Sequence, residues 1–156
     1  MSTTNYNGYS YTYPRPQVTV DAIVFHHDEW GTTRILLVTR GKEPYKGRLA
    51  FPGGFINLDE LLVDACVREL EEETGLIVPA KRMKFFKMAD KVDRDPRART
   101  IGGIFTTELE SDSPPDVTGQ DDADYAAWYE VDKVNDADLW SFDHHELFIN
   151  AYSKLF

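Results

Sequence analysis

The chain has 156 residues and a net charge of −10, from 17 basic and 27 acidic side chains, which excludes a bulk nucleic-acid binder with a counterion-releasing basic face. Its 42% hydrophobic and 13% aromatic content excludes a disordered chain, and the length suits one domain with a real core. One cysteine, Cys66, rules out an internal disulfide, and neither a bilayer-length apolar run nor a signal-peptide core is present. A cytoplasmic protein without a membrane partner is therefore expected.

Residues 1–16 are polar, with interleaved Tyr and a closing Pro-x-Pro. They read as a flexible arm, or as a segment whose Tyr residues pack on a second subunit, and residues 17–156 read as one domain. Strands are expected at 17-QVTVDAIVF-25 and 34-RILLVTR-40, with a turn between them. The apolar run Ile35 to Val38 implies burial on both faces. A Gly- and Pro-bearing loop, 41-GKEPYKGR-48, leads to a short strand at 49-LAF-51 and then to 52-PGG-54. A helix is expected from about Asp59 to Thr74, stopped by Gly75, with Asn57 and Glu60 at capping-box spacing and Asp59 as a rival cap. Further strands are expected at 83–90, 99–109 and 125–131, with an acidic loop at 110–124. A last helix is expected at about 144–155, with Asp143 placed to cap it. Elements mixed in this way point to an α/β (α+β) fold, a sheet covered by helices.

The stretch 68-RELEEETG-75 crowds four carboxylates into five positions, and like charges at helical spacing repel. On a helical wheel Glu69, Glu72 and Glu73 fall at i, i+3 and i+4 and share a face. Val63, Val67 and Leu70 form a second stripe, and Glu71 lies outside both. Hard oxygen ligands gathered at one spot suit Mg²⁺ or Mn²⁺. The bland alternative is a solvated acidic face. Cys66 lies between the stripes and reads as a small core residue. His26, His27, His144 and His145 have no metal-binding spacing, and His144 reads as part of a helix start.

The 23-residue stretch 54-GFINLDELLVDACVRELEEETGL-76 resembles the Nudix box, G-x5-E-x7-R-E-U-x-E-E-x-G-U with U aliphatic, at all nine defined positions. The resemblance implies a mixed sheet sandwiched between helices, in an enzyme that hydrolyses a nucleoside diphosphate linked to another moiety with a divalent metal. It implies Glu69, Glu72, Glu73 and Gly54 as the metal-binding set, with Glu69 and Glu73 in the catalytic group. Glu60 would be an outer carboxylate, and Arg68 would hold Glu69 in place. Two positions depart from the relatives: Leu49 stands where Trp is usual, and Leu61 where a Ser or Thr cap is usual.

Four other segments resemble the ADP-ribose pyrophosphatase subgroup: 17-QVTVDAIVF-25, 40-RGKEPYKGRLAFPGGF-55, 93-DRDPRART-100 and 141-SFDHHELF-148. Arg40, Lys46, Arg94, Arg97 and Arg99 are then candidates for substrate phosphate or ribose. The rival reading of 93–99 is a turn in which Asp93 and Asp95 neutralise the arginines. Tyr45, Phe51 and Trp128 are candidates either for stacking on a base or for the core. Asp121 and Asp122, in the late loop 119-GQDDAD-124, either complete the metal site and act as base or simply form a turn.

The favoured expectation is hydrolysis of ADP-ribose to AMP and ribose 5-phosphate, with a homodimer as an option. Alternatives are a triphosphate pyrophosphohydrolase of the 8-oxo-dGTP-cleaning type and a non-catalytic ADP-ribose sensor. The full box glutamates, the acidity and the close of the sequence at Phe156, leaving no room for a DNA-binding domain, argue against the sensor.

Overall fold

A computed structural model describes residues 4–6, 9–120 and 123–156. Two short strands, β1 (Thr4–Tyr6) and β2 (Tyr9–Tyr11), pair with each other as an antiparallel hairpin separate from the main sheet. The main sheet starts with β3 (Gln17–His27) and β4 (Thr33–Arg40), joined by a tight turn in which the Asp28 carboxylate accepts the backbone N–H groups of Trp30 and Thr32. It continues with β5 (Leu49–Ala50), β6 (Gly53–Phe55), β7 (Lys84–Ala89), β8 (Thr100–Glu110) and β9 (Ala123–Glu130). Two helices, α1 (Leu62–Thr74) and α2 (His144–Leu155), complete the fold.

β3 is the axis of the domain. It runs parallel to β8 along its whole length, from Gln17 opposite Thr100 to His27 opposite Glu110. On its other side it changes partner. Its last residues, Phe25 to His27, pair antiparallel with β4, while Thr19 to Asp21 pair with β6. β4 in turn leaves β3 to pair with β5 on one edge and β9 on the other. The sheet therefore splits where β3 and β4 diverge.

Strand alternation decides what each face buries. Val20, Ala22 and Val24 point to a core shared with Ala65, Cys66 and Leu70 of α1. Ile23 and Phe25 point to the opposite core, shared with Trp140, Leu147, Phe148 and Ala151. Both faces of the sheet are covered, so the α/β/α sandwich implied by the sequence is the observed architecture. The run Ile35 to Val38 is fully buried, as its composition implied. Trp128 packs in the α1 core and its indole N–H donates to the Pro115 carbonyl, and Phe51 lies in the α2 core. Both are scaffold, not stacking surfaces.

The box helix is shorter than expected. It begins at Leu62, and its N-cap Leu61 makes no side-chain cap bond. Asn57 and Asp59 do not cap it. Instead the Glu60 carboxylate accepts the Asn57 N–H at 2.7 Å, so the capping-box pair closes a bend before the helix. Gly75 ends the helix as expected, at φ 78° with its N–H on the Glu71 carbonyl. The buried stripe is rotated from the expected one: Ala65, Cys66 and Leu70 are its centre, and Val63 and Val67 are only partly buried at its margin. That rotation carries Glu73 under cover and leaves Glu71 exposed.

Leu70 is fully buried between α1 and the sheet. Leu70→Ala is expected to cost about 2–5 kcal/mol of stability, read from urea unfolding at unchanged m-value. A loss under about 1 kcal/mol would show that α1 is not held by this stripe.

Candidate active site

The split between β3 and β4 opens a cavity of about 430 Å³. α1 lines it with Glu69, Glu72 and Glu73, β3 with Asp21, β4 with Arg40, and the segments before β8 and α2 with Arg97 and Phe142. Its lining combines carboxylates with cationic and aromatic side chains.

The carboxylate end is organised by Arg68. Its guanidinium donates to Glu60 through Nε at 3.0 Å and Nη2 at 2.6 Å, to Glu69 through Nη1 at 2.8 Å, and to Glu72 through Nη1 at 3.2 Å. Nη2 also reaches the Phe55 carbonyl at 3.2 Å. The bonds to Glu60 above all raise the Arg68 pKa, and those same bonds, helped by the Asn57 N–H, hold Glu60 below the usual carboxylate range. Glu73 is buried and accepts the Gly53 N–H at 2.7 Å. Gly54 permits close approach: a Cβ there would lie 2.6 Å from the Glu69 carboxylate. The three glutamates expected to act together do line one cavity.

Sequence reasoning missed the floor of the site. Asp21 is an acid on a buried strand face, 7% exposed. Burial is the main cause that pushes its pKa up to about 7; Asp143 and Glu69 add to it, while Arg94 and Arg40 oppose it. His144 opens α2 as expected, but it is buried and stacked on Phe51, with ring centroids 4.6 Å apart. Its Nδ1 accepts the Phe51 N–H at 3.1 Å, so the ring proton sits on Nε2, 3.7 Å from Asp21. Burial above all lowers its pKa to about 3, and the ring is neutral. A charged residue inside 17-QVTVDAIVF-25 was the available signal, since an unpaired acid rarely enters a core.

The basic candidates separate. Arg40 and Arg97 line the cavity, and so does Arg94. Arg94 is buried and forks onto Asp143 with two bonds of 2.9 Å. This corrects the expected helix cap: the Asp143 side chain makes no cap bond and binds Arg94 instead. Arg97 forks onto Asp95 at 3.0 and 2.8 Å, so the self-neutralising reading of 93–99 is observed for that pair. Lys46 and Arg99 are corrections, because neither lines the cavity. Lys46 stands exposed on the turn closed by Gly47 N–H to the Arg40 carbonyl, and Lys42 faces the cavity instead. Arg99 Nη1 donates to the carbonyls of Asp90 and Lys91. Asp121 and Asp122 lie outside the described residues. The backbone just before them is tied to α1, with Thr118 N–H on the Thr74 carbonyl and Gln120 N–H on that of Glu73.

A model of the NUDIX domain matches residues 15–149. The chain belongs to the Nudix family. It is 33% identical over 135 residues, 86% of the chain and 72% of the relative, to an ADP-ribose pyrophosphatase of Methanocaldococcus jannaschii. It is 30% identical over 145 residues, 92% of the chain and 56% of the relative, to an ADPR-responsive transcriptional repressor of Acinetobacter baylyi. Among solved structures it resembles a bifunctional NMN adenylyltransferase/ADP-ribose pyrophosphatase of Francisella tularensis, complexed with AMP and a Mn ion. That likeness has a TM-score of 0.82 and 30% identity, and covers 92% of this chain and 43% of the other. The chain thus spans about half the length of the repressor and of the bifunctional protein. The domain match and the pyrophosphatase relative support its assignment as a Nudix pyrophosphohydrolase. No helix among the described residues is long and apolar enough to cross a membrane.

Asp21 carries a stability signature. Its folded pKa, about 7, lies above its unfolded value of 3.8. Its protonated form is favoured in the fold, so stability from this group is full below pH about 4 and is lost as pH rises to about 7. Asp21→Asn is therefore expected to gain stability over the metal-free parent as pH rises through that window, by up to about 4 kcal/mol, and to level off above it. Paired urea unfolding from pH about 4 to about 8 checks this. A stability difference independent of pH would contradict it.

Proposed function

We propose that this Nudix domain hydrolyses ADP-ribose to AMP and ribose 5-phosphate, using a divalent cation held by Glu69, Glu72 and Glu73. The observation that carries the reading is the make-up of one cavity, which three box carboxylates line together with Arg40, Lys42 and Arg97. The donor set fits Mg²⁺ or Mn²⁺, being all hard oxygen and lining a pocket that also admits a phosphate ligand. In the conformation of the structure no three His, Cys, Asp or Glu groups among the described residues are gathered closely enough to hold an ion, so the three glutamates would have to draw together around it. In this conformation Arg68 Nη1 bridges Glu69 and Glu72. An open carboxylate face of this kind suits an ion that keeps waters and shares substrate oxygens. When bound, the cation supplies charge neutralisation at the pyrophosphate and lowers the pKa of a coordinated water.

The chain's own groups supply the rest. Arg68, anchored on Glu60, fixes the orientation of Glu69 and Glu72. The Gly53 N–H fixes Glu73. Arg40 and Lys42, which line the same cavity, meet phosphate charge. A box carboxylate, Glu69 or Glu73, takes the proton of the attacking water, with Asp121 or Asp122 of the late loop as the other candidates. The M. jannaschii pyrophosphatase and the AMP-bearing F. tularensis structure support this choice of substrate over a damaged triphosphate. Glu72 is more exposed at its side chain than Glu69, 41% against 15%, and the complete set favours catalysis over ligand sensing.

With Mg²⁺ the chain is expected to turn over ADP-ribose faster than 8-oxo-dGTP, NADH or dinucleoside polyphosphates, releasing AMP. Glu72→Gln is expected to lower kcat at least about 100-fold while the variant stays folded. Fast triphosphate turnover with little ADP-ribose cleavage would overturn the substrate assignment. Unchanged hydrolysis by Glu72→Gln would overturn the role of the helix.

A further inference from the structure

Strand β7 closes one end of the main sheet and, among the described residues, pairs only with β8. Its outer edge therefore offers unpaired backbone groups to an incoming strand. The ladder with β8 is bulged between Phe85 and Lys87. Lys84, Phe85, Lys87 and Met88 consequently stand opposite four consecutive residues, Thr106 to Gly103. Along the edge the side chains thus read basic, apolar, basic, apolar, with Phe85 and Met88 on the α1 face and the two lysines on the other. All four are exposed, Phe85 at 56% and Met88 at 36%.

The apolar face of this edge is continuous with the core. Phe85 meets the ring of Phe105 edge to face, with centroids 5.6 Å apart. A Cβ on Gly103 would lie 3.4 Å from Leu62 Cδ1, 3.6 Å from Phe105 Cε2 and 3.9 Å from Met88 Sδ, so these three side chains gather over one glycine. A single exposed apolar residue needs no explanation, but a connected strip does. The charge of the edge also opposes that of the chain. Between Gly75 and Asp90 stand Lys81, Arg82, Lys84 and Lys87 and no acid, in a chain of net charge −10. Among the described residues no carboxylate pairs with Lys81, Lys84 or Lys87. Two copies of β7 related by a two-fold axis would set lysine opposite lysine, which disfavours a second copy as the occupant.

We propose that the outer edge of β7 is a docking site for an extended segment of a partner protein in which acidic and apolar residues alternate. Such a segment adds a strand to the sheet. Its apolar side chains cover Phe85 and Met88 on one face, and its carboxylates meet Lys84 and Lys87 on the other. The lysines that repel a copy of this chain attract that partner, so one feature serves both exclusion and recognition. Met88 suits the role, because a flexible thioether adapts to the shape set on it. Leu62, Lys84, Phe85, Lys87 and Met88 all lie outside the cavity lining, so the inference stands apart from the hydrolytic reading.

Two synthetic peptides of one composition test this, the first alternating Glu with Val and Phe, the second carrying the same residues in separate acidic and apolar blocks. Calorimetric titration of the chain is expected to show the alternating peptide bound at least about tenfold tighter than the block peptide, and more weakly as salt rises. Lys84→Glu combined with Lys87→Glu is expected to cost at least about tenfold in that affinity, and Phe85→Ser a similar factor. Lys46→Glu combined with Lys133→Glu makes the same change in net charge at other exposed positions, and is expected to bind as the wild type does. All of these side chains are exposed, so urea midpoints are expected to stay at the wild-type value. Absence of binding by the alternating peptide, equal binding of the two peptides, or binding that survives the β7 variants overturns the proposal. Binding of phosphatidylserine vesicles that is lost in the β7 variants, without peptide binding, overturns it in favour of a membrane surface. Self-association lost in the same variants overturns it in favour of a second copy.

Discussion

The site depends on one guanidinium. Arg68 bonds Glu60, Glu69, Glu72 and the Phe55 carbonyl together. Without it, Glu60, Glu69 and Glu72 would each lose a charge-assisted bond, and helix α1 would lose a tie to the loop after β6. Charge-assisted bonds of this kind are stronger than neutral ones and set geometry as well as energy. Arg68 and Glu60 are partly shielded from water, with side-chain exposures of 27% and 15%, so the pair is less screened than a surface bridge.

The sheet does the rest of the positioning. β3 exchanges β4 for β6 along its length, and the resulting split is where the cavity lies. The pairing of β6 with Thr19 to Asp21 carries Gly53 and Gly54 to the floor. Gly53 then fixes Glu73, and Gly54 leaves room for the Glu69 carboxylate. α2 closes the other wall by placing His144 on Phe51 and Asp143 on Arg94. Two helices from opposite faces of the sheet thus address one cavity, which no single element could build.

Much of this was legible in the residues. Fixed spacing along one helix makes Glu69, Glu72 and Glu73 converge whatever surrounds them, and Gly75 stops that helix for a local steric reason. Strand runs with strong apolar patterning were placed within a few residues. The failures are long-range. Asp143 has every local qualification for a cap, yet buried Arg94 takes its carboxylate from a distant loop. Arg99 and Lys46 look like their neighbours in sequence, and only the course of the chain turns them away from the cavity. The rotation of the buried stripe toward Cys66 depends on where the sheet meets α1. The positive φ of Phe142, 52°, has no local signature, because a Phe between Ser and Asp carries no preference for that region.

On the proposed function, the box carboxylates convert mutual repulsion into cation binding. Titration of the metal-free chain with Mn²⁺, followed by electron paramagnetic resonance, tests it most directly. Saturable binding is expected, weakening at least about tenfold in each of Glu69→Gln and Glu72→Gln and disappearing when both are combined with Glu73→Gln. Mn²⁺ binding that is unchanged in the triple variant would contradict it.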